Sequence, residues 1–342
     1  MASSDVLASQ ARLRALPLVT LYLTERCNSR CTSCDYWRHG RDQLSLASVQ
    51  ALLPQFQRLG TRAVLVSGGE PLLHPQWAEI ATLLKSEGLQ LWLLTAGLAL
   101  AKHAAAVSSL FDKLTVSMDG ADAETYAAIR GVDAFDVVCQ GLRAAAQFGR
   151  PALLRCTVQQ RNFRQLPELV ALAHACGASG ISFLAADLGN PQAFGRIALT
   201  QQPAGLALRI EEVEALERLI DRMETALEHD FRSGFIAESP AKLRRIAAHY
   251  RALLGQGEYP PVRCNAPEFS AVLEAGGRLR PCFFIAGPAG QTDATLEQSL
   301  NSPAMRELRE SIRCGQRPEC RRCVCSMWRD PAELARQLEM SA

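Results

Sequence analysis

"PLVTLYLTERCNSRCTSC", residues 17–34, holds two patterns back to back. The first half is short, apolar and β-branched, which is the composition of a buried strand. The second half places Cys27, Cys31 and Cys34 three and then two residues apart, with no fourth cysteine beside them. A structural zinc site wants four ligands, usually as two separated pairs. A ferredoxin-type run supplies four thiolates for the four irons of a [4Fe–4S] cube. A cube held by three thiolates would leave one iron open to a substrate or cofactor.

The strand-then-motif pattern recurs downstream. "AVLVSGGEP", "LQLWLLTAG", "KLTVSMDG", "PALLRCTVQ" and "GISFLAAD" each read as a strand running into a polar or glycine turn. Between them lie segments with helical spacing, such as "SLASVQALLPQFQRLG", "PQWAEIATLLKSEG", "LALAKHAAAVSSLF" and "DAFDVVCQGLRAAAQFG". "DAETYAAIRG" adds a short turn of helix. Six such strand–helix steps with short connections predict a parallel sheet covered by helices. A partial barrel and an open doubly wound sheet both fit. In either, the active site lies at the carboxyl ends of the strands, where the cysteines, "SGGEP", "TAG" and "SMDG" all fall.

The 342 residues carry 37 basic and 35 acidic side chains, a net charge of +2. That balance gives no footprint for nucleic acid or an anionic membrane. No apolar run approaches a membrane span, and the N-terminus has no secretory h-region. Twelve cysteines without an export signal argue for metal binding before disulfides, in a cytoplasmic protein. Cys139, Cys156 and Cys176 lie in apolar contexts and read as small buried hydrophobes. The six histidines show no clustered ligand spacing.

Beyond residue 190 the rhythm changes. "LRIEEVEALERLIDRMETALEHDF" is amphipathic throughout and reads as one packing helix. "SPAKLRRIAAHYRALLG" is a second helix, with Ser239 as cap and Pro240 at its first position. "FSAVLEAGGRLRPCFFI" reads as a hairpin around a Gly-Gly turn. Six cysteines fall in this last quarter: Cys264, Cys282, Cys314, Cys320, Cys323 and Cys325.

C-x3-C-x2-C after the first strand, "GGEP" after the second and a six-unit β/α core together resemble the radical S-adenosylmethionine (radical SAM) enzymes. The resemblance covers roughly residues 17–190 and implies a partial (β/α)6 TIM-like barrel. It implies that Cys27, Cys31 and Cys34 hold a [4Fe–4S] cluster whose open iron is chelated by S-adenosylmethionine. Reductive cleavage of that cofactor then gives a 5′-deoxyadenosyl radical that abstracts a substrate hydrogen atom. By position, Gly68, Gly69 and Glu70 are expected at the methionine amine. Ser117 and Asp119 are expected near the carboxylate and ribose, Arg155 and Asn162 as further cofactor contacts, and the carbonyls of "FLAAD" at the adenine. Two departures stand out. The family commonly has an aromatic just before the third cysteine, where this chain has Ser33, and Tyr36 is the nearest aromatic. A turn that often reads T-N-G is Thr95-Ala96-Gly97 here.

The tail resembles the Twitch and SPASM auxiliary-cluster extensions of the same enzymes. It lacks the long form's cysteine run, so one auxiliary [4Fe–4S] cluster is expected in an α+β domain. Its expected ligands are Cys264, Cys282, Cys320 and Cys323, with Cys325 and Cys314 as alternates. A zinc site and a tail without ligands are the other readings. The expected divisions are an N-terminal extension (1–16), the barrel (17–190), a helical connection (191–260) and the auxiliary domain (261–342). Asp187 and Glu268 are weak candidates for proton acceptors.

The expected activity is hydrogen abstraction followed by oxidation or coupling of the substrate, with the auxiliary cluster accepting an electron. A flavodoxin- or ferredoxin-type donor is implied. Only 26 residues precede Cys27, too few for a leader-recognition domain, which favours a small metabolite or cofactor precursor. A ribosomally made peptide is the alternative. A non-enzymatic iron–sulfur or zinc protein is a third reading.

Overall fold

The computed structural model describes residues 12–196, 205–288 and 294–330. Most of the expected N-terminal extension and of the "TQQPAG" loop lies outside the described residues.

Eight strands form one sheet: β1 (Leu18–Thr24), β2 (Ala63–Gly68), β3 (Gln90–Thr95), β4 (Lys113–Ser117), β5 (Leu153–Val158), β6 (Gly180–Ala185), β7 (Ser270–Leu273) and β8 (Leu279–Arg280). Thirteen α-helices accompany them among the described residues. These are α1 (Tyr36–His39), α2 (Leu46–Arg58), α3 (Trp77–Ser86), α4 (Leu100–Leu110), α5 (Ala123–Arg130), α6 (Phe135–Gln147), α7 (Leu166–Ala175), α8 (Ile210–Ala226), α9 (Glu228–Ser233), α10 (Pro240–Leu253), α11 (Leu296–Leu300), α12 (Pro303–Arg313) and α13 (Pro318–Arg321).

The spatial order is β6-β5-β4-β3-β2-β1-β7-β8. The first six strands are parallel to their neighbours and follow chain order without a reversal. A doubly wound sheet reverses order at a switch point. This one does not, so it is the barrel-type winding, and no ladder joins β6 to β8 among the described residues. The fold is α/β with a partial barrel.

Local sequence explains the helix limits. Ser45 caps α2 by accepting from the Ser48 N–H at 3.0 Å, and Asp122 caps α5 through the Thr125 N–H at 2.7 Å. Gly131 ends α5 in the left-handed region, with φ +68°. The long amphipathic segment is not one helix. It breaks at Leu227, whose φ of −117° and ψ of 29° are not helical, and α9 follows.

The expected hairpin is β7 and β8, which pair antiparallel. Its placement was not legible: β7 lies parallel to β1, with Leu18 opposite Ser270. The sheet therefore runs from the barrel into the cysteine-rich tail without interruption.

Registered neighbours in a parallel sheet share a face. Leu18 and Ala63 of the barrel's inner face pack with Ala266 and Phe269 of the tail, and Leu65, Trp92 and Met327 lie against them. This plug closes one end of the barrel interior. Further along the same face, β4 and β5 present Thr115, Ser117, Arg155 and Thr157, all half-buried. The opposite face of the sheet packs on the helices, where Cys139, Cys156 and Cys176 are buried as read.

α10 is fixed to the sheet by Tyr250, whose hydroxyl donates to the Val158 carbonyl at 2.6 Å and accepts from the Ala186 N–H at 3.0 Å. Next to it, His249 is buried beside Tyr250 and Tyr259, and burial lowers its pKa to about 4. The unfolded chain protonates this side chain near pH 6.5 and the folded chain does not, so stability is lost as pH falls from there toward 4. The expected loss by pH 5 is about 2 kcal/mol. Urea midpoints at pH 7.5 and 5 check it: His249→Leu is expected to lose less on acidification than the parent.

Candidate active site

The cysteine loop is held on three sides. At its start, the Gly69 N–H donates to the Thr24 carbonyl at 2.7 Å and the Glu70 N–H to the Arg26 carbonyl at 2.8 Å. Those bonds draw the β2 turn against the loop. A Cβ on Gly68 would stand 2.4 Å from the Thr24 carbonyl oxygen, and one on Gly69 would stand 2.3 Å from that of Arg26. Gly68 also has φ +124°, a conformation that favours glycine. In the middle, the Arg30 N–H donates to the Arg130 carbonyl at 2.8 Å and the Thr32 N–H to that of Ile129 at 3.0 Å. At its end, the Asp35 N–H reaches the Phe194 carbonyl at 2.9 Å, and Arg196 donates to the Ser33 carbonyl at 3.1 Å.

Cys27, Cys31 and Cys34 are half-buried free thiols. Burial pushes Cys34 up to about 12 and Cys27 up to about 11, and raises Cys31. The Cys31 charge adds to the rise at both of the others, so three bare thiolates would repel one another. Iron reverses that balance, because it binds the thiolate form and releases the proton. The loop already supports that form. The Ser29 N–H donates to Cys27 Sγ at 3.5 Å, a backbone N–H of Tyr36 serves Cys34, and Arg130 lowers all three thiols. Among the described residues, no three His, Cys, Asp or Glu side chains are grouped to hold one metal ion. A cube binds one thiolate per iron, so its ligands surround a cluster rather than meet at a point. The donor set fits a cube.

Glu70, expected at the methionine amine, also has partners within the protein. It is fully buried and accepts from the Thr95 hydroxyl at 2.7 Å, the Ala96 N–H at 2.7 Å and the Leu72 N–H at 3.1 Å. Burial raises its pKa against those three bonds. Its carboxylate ties the β2 turn to the β3 turn. Ala96 contributes its backbone N–H there, as an Asn at this position would. Glu70→Gln turns one acceptor into a donor facing N–H groups. The expected cost is about 1–3 kcal/mol, read as a shift in urea midpoint.

Asn162 likewise bonds to neighbouring backbone. Its amide donates to the Asp119 carbonyl at 2.9 Å and to that of Thr157 at 3.0 Å, and its oxygen accepts from the Gln159 N–H at 2.8 Å. The Asp119 carboxylate accepts from the Thr157 N–H at 2.7 Å and from Arg130 at 3.0 Å. Burial pushes Asp119 above its usual range, with Arg130 and the Thr157 N–H opposing. Ser117 and Arg155 stand opposite each other across β4 and β5. Arg155 Nε is buried without a partner, so this side chain keeps capacity for a ligand.

Asp187 is buried beyond β6 and closes a turn by accepting from the Gly189 N–H at 3.0 Å and the Asn190 N–H at 3.1 Å. Burial raises its pKa, and Arg196 opposes the rise. Glu268 is exposed and is not among the residues lining the tail cavity. Tyr36 is buried with its ring edge-on to Tyr22 at 5.9 Å, so it packs rather than standing free in the place of Ser33.

The tail forms a cavity of about 620 Å³. Cys264, Cys282, Cys320, Cys323 and Cys325 all line it, together with Tyr259 and Phe283. Cys314 does not line it: this residue follows α12, is exposed, and donates to Glu310 Oε1 at 3.1 Å. The two expected alternates therefore part company.

Residues 21–173 match the radical SAM superfamily. The chain carries a radical SAM domain over these residues. It is an enzyme of that family, with a [4Fe–4S] cluster and S-adenosylmethionine as cofactors and with tail cysteines for an auxiliary cluster. Among curated proteins it is similar to a probable GTP 3′,8-cyclase of Saccharolobus islandicus, at 25% identity over 79% of this chain and 84% of that one. It is also similar to GTP 3′,8-cyclase 2 of Pseudomonas aeruginosa, at 33% identity over 47% of this chain and 52% of that one. Among solved structures it shares its fold with Streptococcus suis SuiB bound to S-adenosylmethionine, with a TM-score of 0.68 and 14% identity over 95% of this chain and 76% of that one. It shares it too with anSMEcpe bound to AdoMet and a peptide, with a TM-score of 0.64 and 17% identity over 96% and 97% of the two chains. No described helix is long and apolar enough to cross a membrane.

Two residues of this radical SAM site escaped sequence reading. Arg130, at the end of α5, is buried between the cysteine loop and Asp119. Burial works against its charge, but the neighbouring Cys31 and Asp119 outweigh it and raise its pKa. The only signal was a basic residue closing the short helix before Gly131. Gln159, just past β5, is fully buried, yet neither atom of its side-chain amide has a partner. A buried amide left open on both atoms marks a place for a ligand.

Proposed function

We propose that this enzyme abstracts a hydrogen atom from a small, non-peptide metabolite or cofactor precursor, and oxidises or couples it with the tail cluster as electron acceptor. The cofactors, when bound, supply the hydrogen-atom abstraction itself. The protein's part is to hold and insulate. Cys27, Cys31 and Cys34 hold the cluster, with Arg130 offsetting their charge. Gly68, Gly69 and Glu70 fix the β2 turn beside them. Ser117, Arg155 and Gln159 hold polar groups of S-adenosylmethionine or the substrate, and Arg155 suits a carboxylate or phosphate. The Phe269–Met327 plug keeps water from the barrel's far end. Free cysteines throughout suit a reducing compartment, the cytoplasm, and a flavodoxin- or ferredoxin-type donor. The divisions at residues 16, 190 and 260 remain working ones.

The observation that carries the substrate class is similarity over most of both chains to proteins named GTP 3′,8-cyclase. A second reading, a peptide substrate, is favoured by the fold shared with SuiB, also solved with a precursor peptide, and with peptide-bound anSMEcpe. Anaerobic turnover with dithionite, read as 5′-deoxyadenosine, separates them. The expected result is at least about tenfold stimulation by an anionic small molecule, with GTP tried first, equivalent to about 1.4 kcal/mol. Stimulation by peptides alone would replace this reading with the second.

A further inference from the structure

Five thiols line the tail cavity, whereas a cube has four corners. They differ in how the backbone treats them. Cys264 Sγ accepts from the N–H two residues on, that of Ala266, at 3.5 Å. Cys323 Sγ accepts from that of Cys325 at 3.4 Å and, as a thiol, donates to the Cys325 carbonyl at 3.1 Å. Cys282 has the N–H groups of Phe284 and Ile285. The same pattern serves Cys27 through Ser29 and Cys34 through Tyr36. A backbone donor fixed on sulfur favours the thiolate and orients it, as outer-shell partners of metal ligands do.

Among the described residues, no backbone N–H donates to the sulfur of Cys320 or Cys325. Both nevertheless stand close enough to feel the charges of Cys264 and Cys282. They differ in setting. Cys320 lies on α13. Cys325 lies within reach of the Arg155 charge on the barrel's inner face.

We infer that Cys264, Cys282 and Cys323 are fixed ligands of the auxiliary cluster, and that Cys320 and Cys325 are alternative ligands for its fourth iron. This rests on reading the tail as an auxiliary-cluster site. One of the two thiols is then always spare. When Cys320 holds the fourth iron, the spare thiol is Cys325, within reach of the Arg155 charge. When Cys325 holds it, the spare lies on α13.

The test uses the full chain with Cys27, Cys31 and Cys34 all changed to Ala, reconstituted anaerobically, so that only tail iron is counted. Mild ferricyanide oxidation then reports the fourth corner, since a cube whose fourth iron lacks a thiolate sheds that iron to give an EPR-active three-iron cluster. Roughly four irons per chain are expected in this parent and in its Cys320→Ala and Cys325→Ala variants, without the three-iron signal. Cys314→Ala should behave as the parent. The Cys320→Ala/Cys325→Ala double variant should give on the order of one three-iron spin per chain.

The signal in either single variant would overturn the inference, because that residue would then be the one fourth ligand. Its absence from the double variant would also overturn it. A parent without iron would overturn the auxiliary-cluster reading itself, and the inference with it. Should the triple-Ala chain not fold, the same three variants are made in the wild-type chain. Roughly eight irons are then expected, and the EPR comparison is with the unmodified protein.

Discussion

Cys31→Ala is expected to abolish formation of 5′-deoxyadenosine, by more than about a thousand-fold, because the cofactor carries the hard chemistry and the protein alone cannot replace it. Cys31 is the thiol for which Arg130 is the first opposing influence after burial. It is also the one whose charge raises both neighbours. Removing it takes away a proposed ligand while leaving the loop's backbone bonds to Arg130, Ile129 and Glu70 intact. Folding stability should change little beside the loss of activity. Iron counting, 5′-deoxyadenosine yield and a urea titration on one preparation check all three points. A variant that kept its activity would remove Cys31 from the site.

Arg130→Ala is expected to act through stability first. Arg130 and Asp119 form a buried ion pair at 3.0 Å, with 11% and 5% of their side chains exposed. Deleting one partner of such a pair leaves the other charge unpaired in the interior, at a cost of about 3–5 kcal/mol. Asp119 also holds the Thr157 N–H, so β4 and β5 loosen together. The Arg130→Ala/Asp119→Asn double variant removes the stranded charge and should recover much of the loss. That recovery separates charge stranding from lost packing. Equal stability of the single variant and the parent would contradict the pairing. In both variants the thiols also lose the guanidinium, so a weaker cluster is expected even where the fold is restored.

The barrel was legible because its strands are short apolar runs, each ending in an unusual turn. Local composition fixed the elements, and the absence of an order reversal then decided between the two candidate architectures. The three cysteines were legible because thiol spacing within one loop is local. What failed was long-range. Nothing near Ser270 announces that it will lie beside Leu18. Nothing near Arg130 announces the cysteine loop. Glu70 and Asn162 were assigned to the cofactor on residue type and position. In the structure both also bond to neighbouring turns. A polar side chain in a strand-end loop can serve the backbone or a ligand, and the sequence does not say which. The tail illustrates the same limit. The resemblance offered four ligands and two alternates, but that Cys325 lines the cavity and Cys314 does not needed the fold.

The measurement that bears most directly on the central claim is production of 5′-deoxyadenosine and methionine from S-adenosylmethionine by the reconstituted protein under anaerobic, strongly reducing conditions. Formation of both in equal amounts by the wild-type chain, with background levels in the Cys27→Ala, Cys31→Ala, Cys34→Ala variant, is the result this account predicts. Iron-loaded, folded wild-type protein that cleaves no S-adenosylmethionine across a range of reductants and candidate substrates would contradict it.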